Sequence, residues 1–213
     1  MDTKSTGVGL TCLTLLAFVL GIAVYPTLPP LMAFHWGTLG EVGGLIPTFW
    51  GVFLYPFFMC LMFVVWLGIP QIEPMQKNIQ AFRTTYNGFW IVQTVFLFYL
   101  FMLTVGNNSG WLFNFNQALS PAIALLFAAA AVLLEHSRRN YFIGIRTPWT
   151  LSSDKIWKRT HLLGSKLFYF CAVWAFAGVV YPEYLLLYLS LPIFITVVIT
   201  VSYSYIEFKR SQV

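Results

Sequence analysis

The chain has 213 residues, of which 59% are hydrophobic and 9% charged, with a formal net charge of +5. Soluble domains carry about 25% charged residues, so this composition excludes a water-covered globule with a sizeable soluble domain. It predicts an all-α integral membrane protein, and the positive balance reads as a topology and anionic-lipid signal with no nucleic-acid partner.

Hydropathy and helix punctuation predict six transmembrane helices of about 20 residues each. The first covers 7–25. Only Lys4 precedes it, its apolar run is long, and Tyr25-Pro26 is no small-residue cleavage site, so it reads as a span and not a removable leader. The second covers 47–69, with Pro47 suited to a first helical turn and Pro56 placed to kink it. The third covers 85–105, where Asn87 and Gln93 are expected to bond to neighbouring helices. The fourth, 118–134, is the shortest. The fifth covers 161–181. The sixth covers 183–206, with Pro182 at its start and Pro192 in mid-span. Cys12, Cys60 and Cys171 each lie in an apolar run, which predicts buried, reduced thiols and no disulfide framework.

The charges orient these spans. Lys4 precedes the first, and Lys77 and Arg83 separate the second and third. Arg138, Arg139, Arg146, Lys155, Lys158 and Arg159 lie between the fourth and fifth, Lys166 sits about a turn into the fifth, and Lys209 and Arg210 follow the sixth. No Lys or Arg occurs in 26–46, 106–117 or 181–183. The positive-inside rule then places both termini in the cytoplasm. The chain divides into an N-terminal three-helix half, 1–116, with an external Pro/Gly loop at 26–46, and a C-terminal three-helix half, 117–213, with a cytoplasmic basic loop at 137–160. Halves of three spans have opposite orientation, as in inverted-repeat transporters, but no sequence matches between them.

The basic loop is the most informative segment. Gly144 and Thr147-Pro148 interrupt any helix over 137–151. Tyr141, Phe142, Ile143, Ile145 and Trp149 are too apolar for a free aqueous loop and are expected at the interface or under the helix ends. Ser152 reads as an N-cap, Asp154 as a dipole-compatible charge at the second helical position, and Leu151 with Ile156 as a hydrophobic staple. The fifth helix therefore begins near Ser153 and runs inward. On it Lys155, Arg159, Leu162 and Lys166 share one face, either as snorkelling headgroup contacts or, joined by Arg146, as an anion or partner site. His136 and His161 flank the loop near Glu135 and Asp154, but the spacing fits no tight ligand motif, so no metal or cofactor is expected.

In the external loop, Pro26, Pro29 and Pro30 hold the first part extended, and Gly37, Gly40, Gly43 and Gly44 make the second part turn-rich. Trp36 is expected to anchor at the outer interface, and His35 and Glu41 are the ionisable side chains there besides Tyr25. The spans contain no zinc-protease motif, no nucleophile elbow, no phosphate-binding loop and no mid-membrane carboxylate pair. No catalytic constellation is visible, and a non-enzyme is expected.

The run from Arg138 to Trp157, followed by Thr160-His161, Gly164 and Lys166, resembles the signature of the SdpI family of bacterial membrane proteins. The external loop is similar to a short domain that often precedes it: Leu28-Pro29, His35-Trp36, Gly40 and Glu41 match. Ala33 stands where Pro is usual, Gly37 where Asn is usual, and a late Lys is absent. The resemblance implies an immunity and signalling protein that recognises a secreted toxin peptide and holds a small cytoplasmic repressor at the membrane. It implies a cytoplasmic partner surface of Arg146, Thr147, Pro148, Trp149, Asp154, Lys155, Arg159 and Lys166, and an external contact at His35, Trp36 and Glu41. The competing class is a small-molecule or lipid transporter, or a membrane enzyme, using the Arg146, Lys155, Arg159 and Lys166 face as an anion site.

Overall fold

A computed structural model describes residues 2–212. In chain order it contains α1 (Thr3–Val24), β1 (Leu31–Trp36), β2 (Val42–Pro47), α2 (Thr48–Ile72), α3 (Gln76–Ala81), α4 (Arg83–Asn108), α5 (Phe115–His136), α6 (Pro148–Ser152), α7 (Asp154–Phe176) and α8 (Leu185–Arg210). Six of these helices, α1, α2, α4, α5, α7 and α8, are long and apolar enough to cross a membrane. The protein is a multi-pass membrane protein. Each predicted span is present, and most run further into their polar flanks because caps and interhelix bonds sustain them there. At the start of α1, for example, the Asp2 carboxylate accepts from the Ser5 N–H at 2.7 Å. That hydrogen bond holds the Asp2 carboxyl below its ordinary range.

Helices α1, α2 and α4 pack together, α5 packs with α7 and α7 with α8, and α4 against α5 joins the two groups. Two apolar clusters fill the first group. One, with Leu10, Trp66, Ile79, Phe82, Tyr86 and Trp90, also takes Leu133 from α5. The other gathers Ala17, Met32, Val52, Met59, Leu97, Phe101 and Val105. Asn87 on α4 accepts from the Trp66 indole of α2 at 3.1 Å, the interhelix bond expected of it. Gln93 departs from that expectation: its Oε1 is buried with no protein partner. Pro56 and Pro192 lie inside α2 and α8 as read.

The segment 26–46 corrects the reading of a turn-rich loop. It forms an antiparallel hairpin with Leu31 opposite Pro47, Met32 opposite Ile46, Ala33 opposite Leu45, His35 opposite Gly44 and Trp36 opposite Val42, irregular between Ala33 and Trp36. Its strands are short, β2 carries Gly43 and Gly44, and an isolated two-stranded hairpin is marginal. Tertiary bonds hold it. Asn108 of α4 brackets Ala33, accepting from its N–H at 2.7 Å and donating to its carbonyl at 2.9 Å. Asn116 of α5 donates to the carbonyls of Gly37 and Thr38. Cys12 and Cys60 are a second correction: both are free but exposed on outer helix faces, and Cys171 alone is buried. An apolar run across a bilayer puts as many side chains toward lipid as toward protein, so the run alone does not set burial.

Candidate functional site at the charged end

The starts of α1, α4 and α7 and the ends of α2, α5 and α8 lie at one end of the bundle, and all 12 Lys and Arg residues belong to that end. The hairpin occupies the other. The charged end is organised by the segment 137–147, which runs from α5 to α6 as ordered, non-helical chain.

Asn140 is the pivot of this segment and is fully buried. Its Oδ1 accepts from the N–H groups of Phe142 at 2.9 Å and Ile143 at 2.6 Å. Its Nδ2 donates to the carbonyls of Arg138 at 2.8 Å and Ile143 at 3.0 Å. One side chain thus satisfies four backbone groups that no helix serves. The N-terminal half holds the segment from the side. Glu73, 1% exposed at the end of α2, accepts from Met75 N–H and Tyr141 N–H, each at 2.9 Å. Asn78 of α3 donates to the Arg139 carbonyl at 2.7 Å.

The second half of the segment lies on α7. His161 stacks on Trp157 with ring centroids 3.9 Å apart. Its Nε2 accepts from the Ile145 N–H at 2.9 Å while Nδ1 donates to the Trp157 carbonyl at 2.8 Å, so the ring is the neutral Nδ1–H tautomer. The Trp157 indole donates to the Ser137 carbonyl at 3.2 Å. Gly144 has φ +107, and a Cβ there meets the His161 ring and Trp157. A Cβ at Gly164 meets Ile145 at 2.5 Å. The spacing of Asn140, Gly144, Trp157, His161 and Gly164 is therefore the spacing needed to dock this segment on α7.

The helix-start reading needs correcting in register. Ser153, not Ser152, precedes α7, without a side-chain cap bond, and Asp154 is its first residue. Ser152 ends α6 and bonds back to the Trp149 carbonyl. With the cap moved one residue, Leu151 and Ile156 lose staple register. The capping box belongs to Thr147, whose side chain accepts from Thr150 N–H at 3.1 Å while Thr150 Oγ1 accepts from Thr147 N–H at 2.9 Å. Pro148 takes the first position of α6. Thr147 Oγ1 also meets Ser204 Oγ of α8 at 3.1 Å, and Trp149 packs on Tyr205 at 5.0 Å between centroids.

The cations named from the sequence separate into different environments. Arg146 donates to the Tyr141 carbonyl at 2.7 Å and is exposed. Arg159 pairs with Glu207 of α8 at 2.5 Å. Lys155 and Lys166 are exposed on α7. Asp154 pairs with Arg139 at 2.8 Å, and Arg139 also donates to the Leu151 carbonyl at 3.0 Å.

A different set of cations does converge. An open cleft of about 540 Å³ lies between the α3–α4 junction, the end of α5 and the start of α7. Arg83, Arg138, Arg139 and Lys158 line it with Glu135 and Asp154. None of Arg146, Lys155, Arg159 and Lys166 does. Arg83 lies over the faces of Tyr86 at 5.1 Å and Trp66 at 5.8 Å. Among the described residues no group of His, Cys, Asp and Glu is placed to hold a metal ion.

At the hairpin end Trp36 is half-buried. It stacks on Phe115 with centroids 3.6 Å apart and planes 7° apart, and its indole donates to Asn107 at 3.3 Å. Glu41 closes the turn by accepting from Leu39 N–H at 2.9 Å. His35 is exposed on β1. Leu39, Leu45, Trp50, Trp111 and Leu112 are also exposed at this end.

Residues 137–205 match the SdpI/YfhL protein family, and residues 12–60 match a domain of unknown function, DUF1648. The Immunity protein SdpI of Bacillus subtilis (strain 168) is 22% identical over 196 residues, covering 92% of this chain and 92% of that protein. In both matched regions this membrane protein is similar to SdpI proteins. No solved structure matches it. The SdpI-like region holds the whole charged-end docking of 137–147 on α7 and α8. The other matched region holds the second half of α1, the hairpin and the first half of α2. Sequence reasoning passed over Glu73 and Asn78, and took Arg83 as a topology charge alone. The available signal was an acid at the end of an apolar span, followed by Pro74, in an otherwise basic connection.

Proposed function

We propose that this chain is a membrane immunity protein that protects a cell against a secreted, membrane-active peptide without altering it chemically. The observation that carries the reading is the relative named an immunity protein, aligned through nearly the full length of both chains. Both termini lie in the cytoplasm, because every Lys and Arg belongs to the end that holds them. The hairpin then faces outward, where a secreted peptide arrives. His35 with the exposed apolar residues at that end offers an uncharged, aromatic-rich contact, and Trp36 and Glu41 keep the hairpin in shape. Residues 1–116 form the receiving half and 117–213 the relaying half. Arg146, Lys155 and Lys166 face the cytoplasm for a small repressor protein, with Thr147, Pro148, Trp149, Asp154 and Arg159 shaping that surface.

The test is a toxin challenge of a sensitive host with and without the chain, followed by recovery of the toxin. Protection that falls as toxin exceeds protein, with intact toxin recovered, supports the reading. Cleaved or modified toxin points to an enzyme, and no protection at any expression level points to a transporter. Cysteines at Thr38 and Gln212 test orientation: an impermeant thiol reagent should reach the first in intact cells and the second only after lysis.

A further inference from the structure

We infer that the cleft between the α3–α4 junction, the end of α5 and the start of α7 is a binding site for a phosphate-bearing anion. Its lining brings Arg83, Arg138, Arg139 and Lys158 together against the carboxylates of Glu135 and Asp154, leaving an excess of positive charge. One ion pair, Arg139 with Asp154, is closed inside it. Arg83, Arg138 and Lys158 have no carboxylate partner among the described residues. Arg83 is the informative member. It is half-buried, its Nε is buried with no hydrogen-bond partner, and its guanidinium carbon lies over the Tyr86 and Trp66 rings. Cation–π contact with two rings restrains the guanidinium without using its N–H donors, which remain available to phosphate oxygens.

Thr84 and Thr85 of the first turn of α4 also line the cleft. That helix starts without a side-chain cap, so its positive dipole end adds to the field. The cavity, about 540 Å³, falls within the range of roughly 300–1,000 Å³ usual for small-molecule sites. Two sources fit the chemistry: a phospholipid headgroup, since the cleft lies at the level where the helices carry their Lys and Arg, and a free phosphate. The inference does not rest on the immunity reading, because it uses only the geometry of this cleft.

The experiment uses the full chain in nanodiscs and follows its thermal unfolding midpoint. In phosphatidylcholine nanodiscs, inorganic phosphate is titrated. In a second arm, phosphatidylglycerol replaces part of the lipid with no phosphate added. A concentration-dependent rise with inorganic phosphate identifies a free-anion site. A rise only with phosphatidylglycerol identifies a headgroup site. R83Q should weaken the response about tenfold. R138Q combined with K158Q, which leaves the Arg83 stacking untouched, should do the same if R83Q fails to fold. R146Q combined with K155Q lies outside the cleft and should leave the response unchanged. No rise with either probe, or equal weakening by R146Q with K155Q, overturns the inference.

Discussion

The two ends of the bundle are built by opposite means. At the charged end, the non-helical segment 137–147 is held from inside: Asn140, Glu73 and His161 are buried and spend their polar atoms on its backbone. At the hairpin end, Asn107, Asn108 and Asn116 hold the strands from their margin while large apolar side chains stay exposed. Buried polar networks specify one arrangement because an unpaired group in a low-dielectric interior is costly. The hairpin is anchored differently, by Met32 buried among α1, α2 and α4 and by asparagine bonds to its backbone, while its outer side chains stay exposed. The difference teaches where polar groups and exposed apolar surface are placed: the charged end buries its polar side chains against its own backbone, and the end proposed to meet a peptide keeps large apolar side chains at the surface.

The sharpest way to break this contrast is G144A. The residue sits at φ +107, and the new Cβ meets His161 and Trp157. Strain of about 1–3 kcal/mol adds to displacement of the stacked pair, so the protein should lose its cooperative thermal transition in detergent. A transition within a few degrees of the parent would show that the docking on α7 is loose.

N140A should follow closely. It strips partners from Phe142, Ile143 and the Arg138 carbonyl, each unpaired buried group costing about 1–3 kcal/mol. Thermal unfolding measures it, and N140D should not recover the loss, because its second oxygen would face the carbonyls of Arg138 and Ile143 that Nδ2 serves. E73Q comes next. It replaces one of two acceptor oxygens, so Met75 N–H or Tyr141 N–H loses its partner at a cost of about 1–3 kcal/mol. Hydrogen exchange should quicken at one of those two amides.

On the other side of the comparison, N108A should leave the global midpoint nearly unchanged while exchange quickens across 31–36, because the bond pair it removes holds a hairpin and not the bundle. Equal global loss for N108A and N140A would erase the distinction between the ends. The smallest pair of effects concerns helix starts. T147A should cost about 1 kcal/mol through the lost capping box of α6. S152A should stay within about 0.5 kcal/mol, since its hydroxyl only bonds back to Trp149.

Much of this protein was legible without a structure. Span number and placement follow from apolar runs, because a bilayer demands about 20 apolar residues per helix. The break at Gly144 and Pro148 and the start of α7 beside Ser153 follow from local backbone preferences. The cap itself shifted by one residue, because Ser152 and Ser153 are chemically alike and only the end of α6 decides between them. Burial held for Cys171 but failed for Cys12 and Cys60, since hydropathy does not separate lipid-facing from protein-facing sides of a span.

What the sequence by itself determined is the membrane class, the six spans and the collection of basic residues at one end, each set by one-dimensional patterns of apolarity and charge. Only the tertiary structure decided the hairpin, the role of Glu73 on a segment 68 positions away, and which cations share a cleft. Arg146, Lys155, Arg159 and Lys166 follow helical spacing, yet Arg159 turns to Glu207 and Arg146 to Tyr141. Arg83 and Lys158 are far apart in sequence and line one cavity. Burial and hydrogen bonding are properties of packed neighbours, and helix packing brings together side chains whose proximity no local pattern encodes.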